Sequence, residues 1–409
     1  MDDALAGLDD VDWARLSHAY GSADDVPASL RALRVPDEEE RLTALYELHA
    51  NIYHQGNRYE ASAHAVPFLL ALAADPTTPG RDDPLYLATG MAVGYDESHL
   101  PSGVGIEDWR REVARMRAAD PAAEERQMDA WVEEAADPGE RASRKRQREL
   151  LDAGVVLRNA EAELAAYDAV RAGLSGVRGL LADGDAYVRA AAAYTLGWLP
   201  EEAAASVPAL RTLLGAETDP AVTANALVSV GLLDDRDLIP RLREHLAGDE
   251  PLPRWAAAVA LLRLGVAEPS VIAELAATSI APPETAGTPV AFLNGDLRLY
   301  SATCLAAMDD APPEAADAVL DGLSRTSDDA SFPMAAAALK LAFGAPSGPS
   351  VPSAPLPPFD ELTPVQQRAV RTIAELTSGT WDWVNLWEIL REWGLPTDRD
   401  ACRTYAGLA

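Results

Sequence analysis

Apolar positions along this chain recur at helical spacing. In the stretch "DAYVRAAAAYTLGWL", Val188, Ala192 and Leu196 stand four apart, with Asp185 three residues ahead of the first and Arg189 next to it. Steps of three and four place these side chains on one stripe of a helix, and an Asp just ahead of the first turn can cap it. The frame returns with Asp219, Val222, Thr223, Ala226, Val230 and Gly231, and again with Glu250, Pro253, Arg254, Ala257 and Leu261. Those starts lie 34 and 31 residues apart. Asn294, Leu297, Arg298, Ser301 and Leu305 fit once more, and a degenerate copy runs through Pro333, Met334, Ala337 and Leu341. Nearer the N-terminus, Asp37, Arg41, Ala44 and Leu48 form one copy, and Asp82, Leu85, Tyr86, Thr89, Val93 and Gly94 another.

A second helical signature precedes several copies: "VPFL" at Val66, "VPAL" at Val207 and "IPRL" at Ile239. Proline fits the first turn of a helix, where its missing N–H would be unpaired anyway, so each signature is expected to open a helix. The unit is then helix A, tight turn, helix B. Pairs repeated at this period bury their apolar faces by stacking on one another.

The stretch "DAYVRAAAAYTLG" together with "VPALRTLL" resembles HEAT repeats, especially the short bacterial form called PBS-lyase HEAT-like, in a subgroup that brings no assigned role. The resemblance spans roughly residues 25 to 96 and 166 to 344. It implies an all-α fold, a right-handed α-solenoid with helix B on the concave face, and no single activity. It also implies that turn Asp and helix B Arg residues form ladders between repeats, which makes Asp185, Arg189, Arg254 and Arg298 structural. Thr223 replaces the Arg in its copy, so the ladder should break there.

The frame is interrupted twice. Residues 97–165, between N-terminal repeats at 1–96 and C-terminal repeats at 166–344, read as a charged helical insertion, and Arg141 to Arg148, "RASRKRQR", is its dense basic cluster. That cluster could touch nucleic acid, or it could be a solvated face partnered by nearby acids. Residues 345–358, rich in Pro and Ser, are a semi-extended linker. Residues 359–409 form a Trp-rich helical cap, in which Trp383, Leu386, Trp387 and Leu390 are expected to make one buried face.

Composition agrees with helices: alanine is abundant and aromatics are 6%. The 65 acidic side chains against 34 basic ones give a net charge of −31. Such a field repels phosphate backbones and anionic membranes, attracts a basic protein partner, and also serves solubility. Cys304 and Cys402 lie in separate segments without zinc-ligand spacing, so reduced thiols are expected. The start "MDDALAGLDDVDW" lacks a signal-peptide pattern and no apolar run nears membrane-spanning length, so a cytoplasmic protein without membrane contact is expected.

One stretch stands apart chemically. "IYHQGNRYEASAHAVPFL", Ile52 to Leu69, collects His54, Arg58, Tyr59, Glu60 and His64 at an expected corner between repeats. A catalytic or metal site would use His49, His54, Tyr59, Glu60 and His64, yet His49 and His54 diverge by about 140° on a helix. No phosphate loop, dinucleotide fingerprint, nucleophile elbow or zinc-protease motif occurs, and no cofactor or metal is expected. The expectation is a non-catalytic scaffold that binds a protein or peptide partner on its concave face, in the manner of an inhibitor or immunity protein if that partner is basic. His54, Arg58, Tyr59, Glu60 and His64 are its candidate contact.

Overall fold

In the computed structural model, residues 3–150, 153–285, 287–346 and 356–408 are described, and most of them are helical. Contacts divide them into two compact units, residues 1–99 with 103–209 and residues 210–409 with 100–102. Most of the expected linker at 345–358 lies outside the described residues.

In the first unit, a short hairpin pairs Ser17–His18 with Gly21–Ser22. There follow α1 (Val26–Ala32), α2 (Glu38–Ile52), α3 (Glu60–Ala74) and α4 (Asp82–Val93). Next come α5 (Ile106–Ala118), α6 (Pro121–Glu133) and α7 (Pro138–Leu150), and then α8 (Ala153–Leu180) and α9 (Ala186–Gly197). Pairing makes α1, α3 and α8 the A helices of three repeats and α2, α4 and α9 their B helices. Like packs on like: α3 lies against α1 and α8, and α4 against α2 and α9. α8 therefore stands beside α3 as the next repeat's first helix would, and α5 to α7 are an excursion between consecutive repeats. α5 rests on α8, while α6 and α7 pack on each other. Residue 165, the expected end of the insertion, falls inside the continuous α8.

α10 (Ala203–Ala216) leads into the second unit. Its later helices are α11 (Pro220–Leu232), α12 (Ile239–Leu246), α13 (Pro251–Arg263), α14 (Pro269–Ile280) and α15 (Leu297–Ala306). The series ends with α16 (Pro313–Leu323), α17 (Ser331–Phe343), α18 (Pro364–Ala374), α19 (Ser378–Trp381), α20 (Val384–Glu392) and α21 (Arg399–Tyr405). The B helices α11, α13, α15 and α17 pack in sequence, as do the A helices α14, α16 and α18. This alternation is the stacking of an α-solenoid.

The turns before α2 and α9 are closed by two side chains of the frame, and other turns keep one of the two. Asp37, Asp185 and Asp219 accept from the backbone N–H of Glu40, Tyr187, and Ala221 with Val222, capping α2, α9 and α11. The arginine four residues later turns back on the same turn. Arg41 donates to the carbonyls of Val35 and Pro36, Arg189 to those of Asp183 and Gly184, and Arg254 to those of Gly248 and Asp249. Arg254 also reaches Glu274 on α14, and Arg298 bonds the carbonyls of Ser279 and Ile280 and that of Gly322 on α16, so these two bridge to the next repeat. Thr223, in the Arg position, bonds the Asp219 carbonyl instead.

Several local expectations change. Asp296, not Asn294, caps α15 by accepting from Leu299, since Asn294 sits at φ 52° before the helix begins. Asp82 lies within the first turn of α4 and does not cap it. Pro67 and Pro208 sit inside α3 and α10, and only Pro240 opens its helix. Pro67 is on the exposed side, where a carbonyl deprived of its amide can face solvent. In the cap, Leu386 and Leu390 are fully buried, but Trp383 is 51% and Trp387 42% exposed. Trp383 is the extended N-cap of α20, so the helical phase starts one residue later than its spacing suggests.

Small residues let the B helices meet closely. A Cβ on Gly231 of α11 would lie 2.8 Å from Ala260 Cα on α13, whereas Gly215 on α10 has nothing within 4 Å. Gly231→Ala should therefore lower unfolding free energy by about 1–3 kcal/mol, while Gly215→Ala should be neutral or stabilising by up to about 1 kcal/mol. Urea denaturation of the two variants checks both.

Candidate functional site

The corner begins where α2 ends at Ile52. Gln55 and Gly56 then take left-handed backbone, φ 52° and 79°, reversing the chain toward α3. Ser62 fastens the reversal: its buried hydroxyl accepts from the Tyr59 N–H and donates to the Ile52 carbonyl, joining the end of α2 to the start of α3. Ser62 was not among the residues that the sequence singles out, and a serine in a helical run carries no signal of its own.

Arg58 is buried, 7% exposed, and is spent on the corner. Its Nη1 donates to the Gly56 carbonyl, its Nη2 stands 3.4 Å from Glu163 Oε2 on α8, and its guanidinium lies over the Trp109 ring of α5. Gly94, at φ 72°, leaves room for it: a Cβ there would meet Arg58 Nη1 at 2.5 Å. Burial lowers the Arg58 pKa, opposed by Glu163 and Tyr53, and burial raises that of Glu163, opposed by Arg58. Each charge is tolerated because the other is present. Trp109 and Glu163 lie 51 and 105 residues from Arg58 in sequence, so no local pattern could bring them to it.

Around this buried core lies an aromatic shell. Tyr53 donates to the Gly94 carbonyl at 2.7 Å and packs on Tyr95 and His49. Tyr194 of α9 bonds Asp96 at 3.1 Å, and His99 bonds the Val93 carbonyl while its ring faces Trp198. Desolvation raises the Tyr53 and Tyr194 pKa values and lowers that of His99, so all three stay neutral at pH 7. The loop after α4 thereby covers α9, which is buried from Ala190 to Gly197.

The remaining candidates lie nearer solvent. Glu60 is exposed, and its Oε2 accepts from the N–H and hydroxyl of Ser17, holding the N-terminal hairpin. His54 Nδ1 is 3.3 Å from the Tyr20 hydroxyl on that hairpin. Tyr59 is half-buried and His64 is exposed on α3. So the structure gathers His54, Tyr59 and Glu60 with the unforeseen Ser17 and Tyr20, and sets Arg58 beneath them. Among the described residues, no group of three or more His, Cys, Asp or Glu side chains is placed to hold a metal ion.

The basic cluster of the excursion meets acids on its own hairpin. Arg141 pairs with Glu133, Arg144 with Glu140, and Arg148 with Asp129, and Arg144 also stacks on Trp131. In the second unit, Asn225 of α11 bonds the Pro289 carbonyl and accepts from Ala291 N–H, while Thr288 bonds Asp219. This strap helps to cover α11, whose residues Ala221 to Leu232 are all buried.

Residues 174–262 match the family model for HEAT repeats. With helix pairs stacked A on A and B on B, the chain contains HEAT repeats over that stretch. No curated protein and no solved structure matches it. No helix among the described residues is long and apolar enough to cross a membrane.

Removing Arg58 strands Glu163, so Arg58→Met should cost about 3 kcal/mol, and Arg58→Met with Glu163→Gln should recover much of it. Chemical denaturation of the single and double variants measures the coupling. A second outcome concerns Asp83 in the first turn of α4, whose carboxyl is pushed up to about 6, first by burial and then by Asp82, against Arg41. A pKa above the unfolded value near about 4 means that the group's stabilising contribution is full below about pH 4 and lost as pH rises through about 6. Asp83→Asn should therefore raise the melting temperature at pH 7.5 more than at pH 4.5, as thermal melts at the two pH values would record.

Proposed function

We propose that this chain is a non-catalytic scaffold that holds a protein or peptide partner against its helical repeats, and that the partner is basic. The observation that carries the reading is the fate of the corner's polar groups. Arg58, Ser62 and Tyr53 bond to the chain itself and fix one helix pair against the next, while Glu60 holds the N-terminal hairpin. Stacked helix pairs offer a broad surface, and the excess of carboxylates favours and steers a cationic partner. An acidic inhibitor or immunity protein bound to a basic effector is the concrete form of this reading. Tyr20, His54, Tyr59 and His64 at the rim of the corner would supply a specific contact.

Affinity capture with the full chain as bait, followed by a salt series on the purified complex, tests the proposal. Affinity should fall by about tenfold or more between about 0.05 and 0.5 M salt. An affinity indifferent to salt would remove the basic partner, and a complex with a small-molecule substrate in place of a protein would remove the scaffold.

A further inference from the structure

We infer that the outward face of α2 is a docking surface for a cationic amphipathic segment of a partner protein, an inference that rests on the scaffold reading and specifies its partner. α2 buries Ala44, Leu48 and Ile52 on its core side. On the opposite side, one turn apart, stand Leu42 at 53% exposure and Tyr46 at 75%. With Glu38, Glu39 and Thr43 they line a shallow open depression along the helix.

Two features make this more than a helix surface. First-turn glutamates suit the helix N-terminus, which accounts for Glu38 and Glu39 but not for an exposed leucine and tyrosine beside them. Second, none of Glu38, Glu39 and Glu40 has an ion-pair partner among the described residues, whereas many acids elsewhere do, such as Asp183 with Arg81 and Asp168 with Arg110. A segment with apolar side chains at helical spacing and Lys or Arg beside them would cover Leu42 and Tyr46 and neutralise the free carboxylates. A second copy of this chain, at net charge −31, would instead set carboxylates against carboxylates. The other B helices of the frame offer less: α9 is buried from Ala190 onward, and α11 is buried from Ala221 to Leu232.

The test uses the full chain and a synthetic helical peptide of leucines and lysines carrying one benzophenone. Anisotropy at low ionic strength gives its affinity, and mass spectrometry after irradiation gives its position. Crosslinks should map to residues 38–50, and Leu42→Ser with Tyr46→Ser should weaken binding about tenfold with the circular dichroism unchanged. Glu38→Gln with Glu39→Gln should weaken it several-fold at low salt and little at high salt. The control pair Asp309→Asn with Asp310→Asn, exposed on the second unit, should leave it unchanged. Equal losses in both charge pairs, or crosslinks spread over other helices, would overturn the α2 site while leaving the scaffold standing. Absence of peptide binding at low ionic strength would overturn the site and count against a basic partner altogether.

Discussion

Helix B in this chain has neighbours on nearly every side, and the rest of the structure follows from that crowding. A helix surrounded by its own helix A, by the B helices of adjacent repeats and by a covering loop must be thin. Alanine runs such as Ala190 to Ala193 and Ala256 to Ala258 meet that demand, and Gly231 carries it to direct backbone contact with Ala260. Large side chains are admitted singly where a partner holds them, as Trp255 is held by the Ser301 hydroxyl at 3.0 Å. Close packing of small residues contributes dispersion and buried area without much side-chain entropy to lose.

Thin helices need firm ends, because a rotation of one pair would propagate to its neighbours. The frame supplies them with an Asp that satisfies N–H groups of helix B and an Arg that satisfies the carbonyls left at the end of helix A. The junction between the first two repeats, from α2 to α3, uses a different device. A left-handed reversal, a buried serine and an arginine clasped by Glu163 take over, and the aromatic loop after α4 seals the result. The polar and aromatic wealth of that corner is thus explained largely by packing. What it leaves at the surface is a hairpin edge, and beyond it the outward face of α2.

Charge and shape point the same way for recognition. Basic side chains are largely drawn into internal pairs, including those of the excursion, while carboxylates remain in surplus at the surface. The loops over α9 and α11 close parts of the helix B face that a repeat array would otherwise present. Under the scaffold proposal, binding falls to faces that the described residues leave open, and the outward face of α2, with Leu42 and Tyr46, is such a face.

The repeat frame, the helical class and the acidic balance were legible in the residues themselves, because period, capping Asp and alanine content are local properties that stacking does not alter. Ser62, Trp109, Glu163 and Tyr20 were not legible as parts of one corner, because their contacts join segments that the excursion and the reversal bring together. Trp383 and Trp387 make the same point in reverse: their spacing matches a buried helical stripe, yet an extended N-cap shifts the phase and leaves both half-exposed. Spacing along a chain determines which side chains can share a face. Only the packing of the neighbouring elements decides whether that face is covered, and so whether a polar cluster is a binding surface or the clasp beneath one.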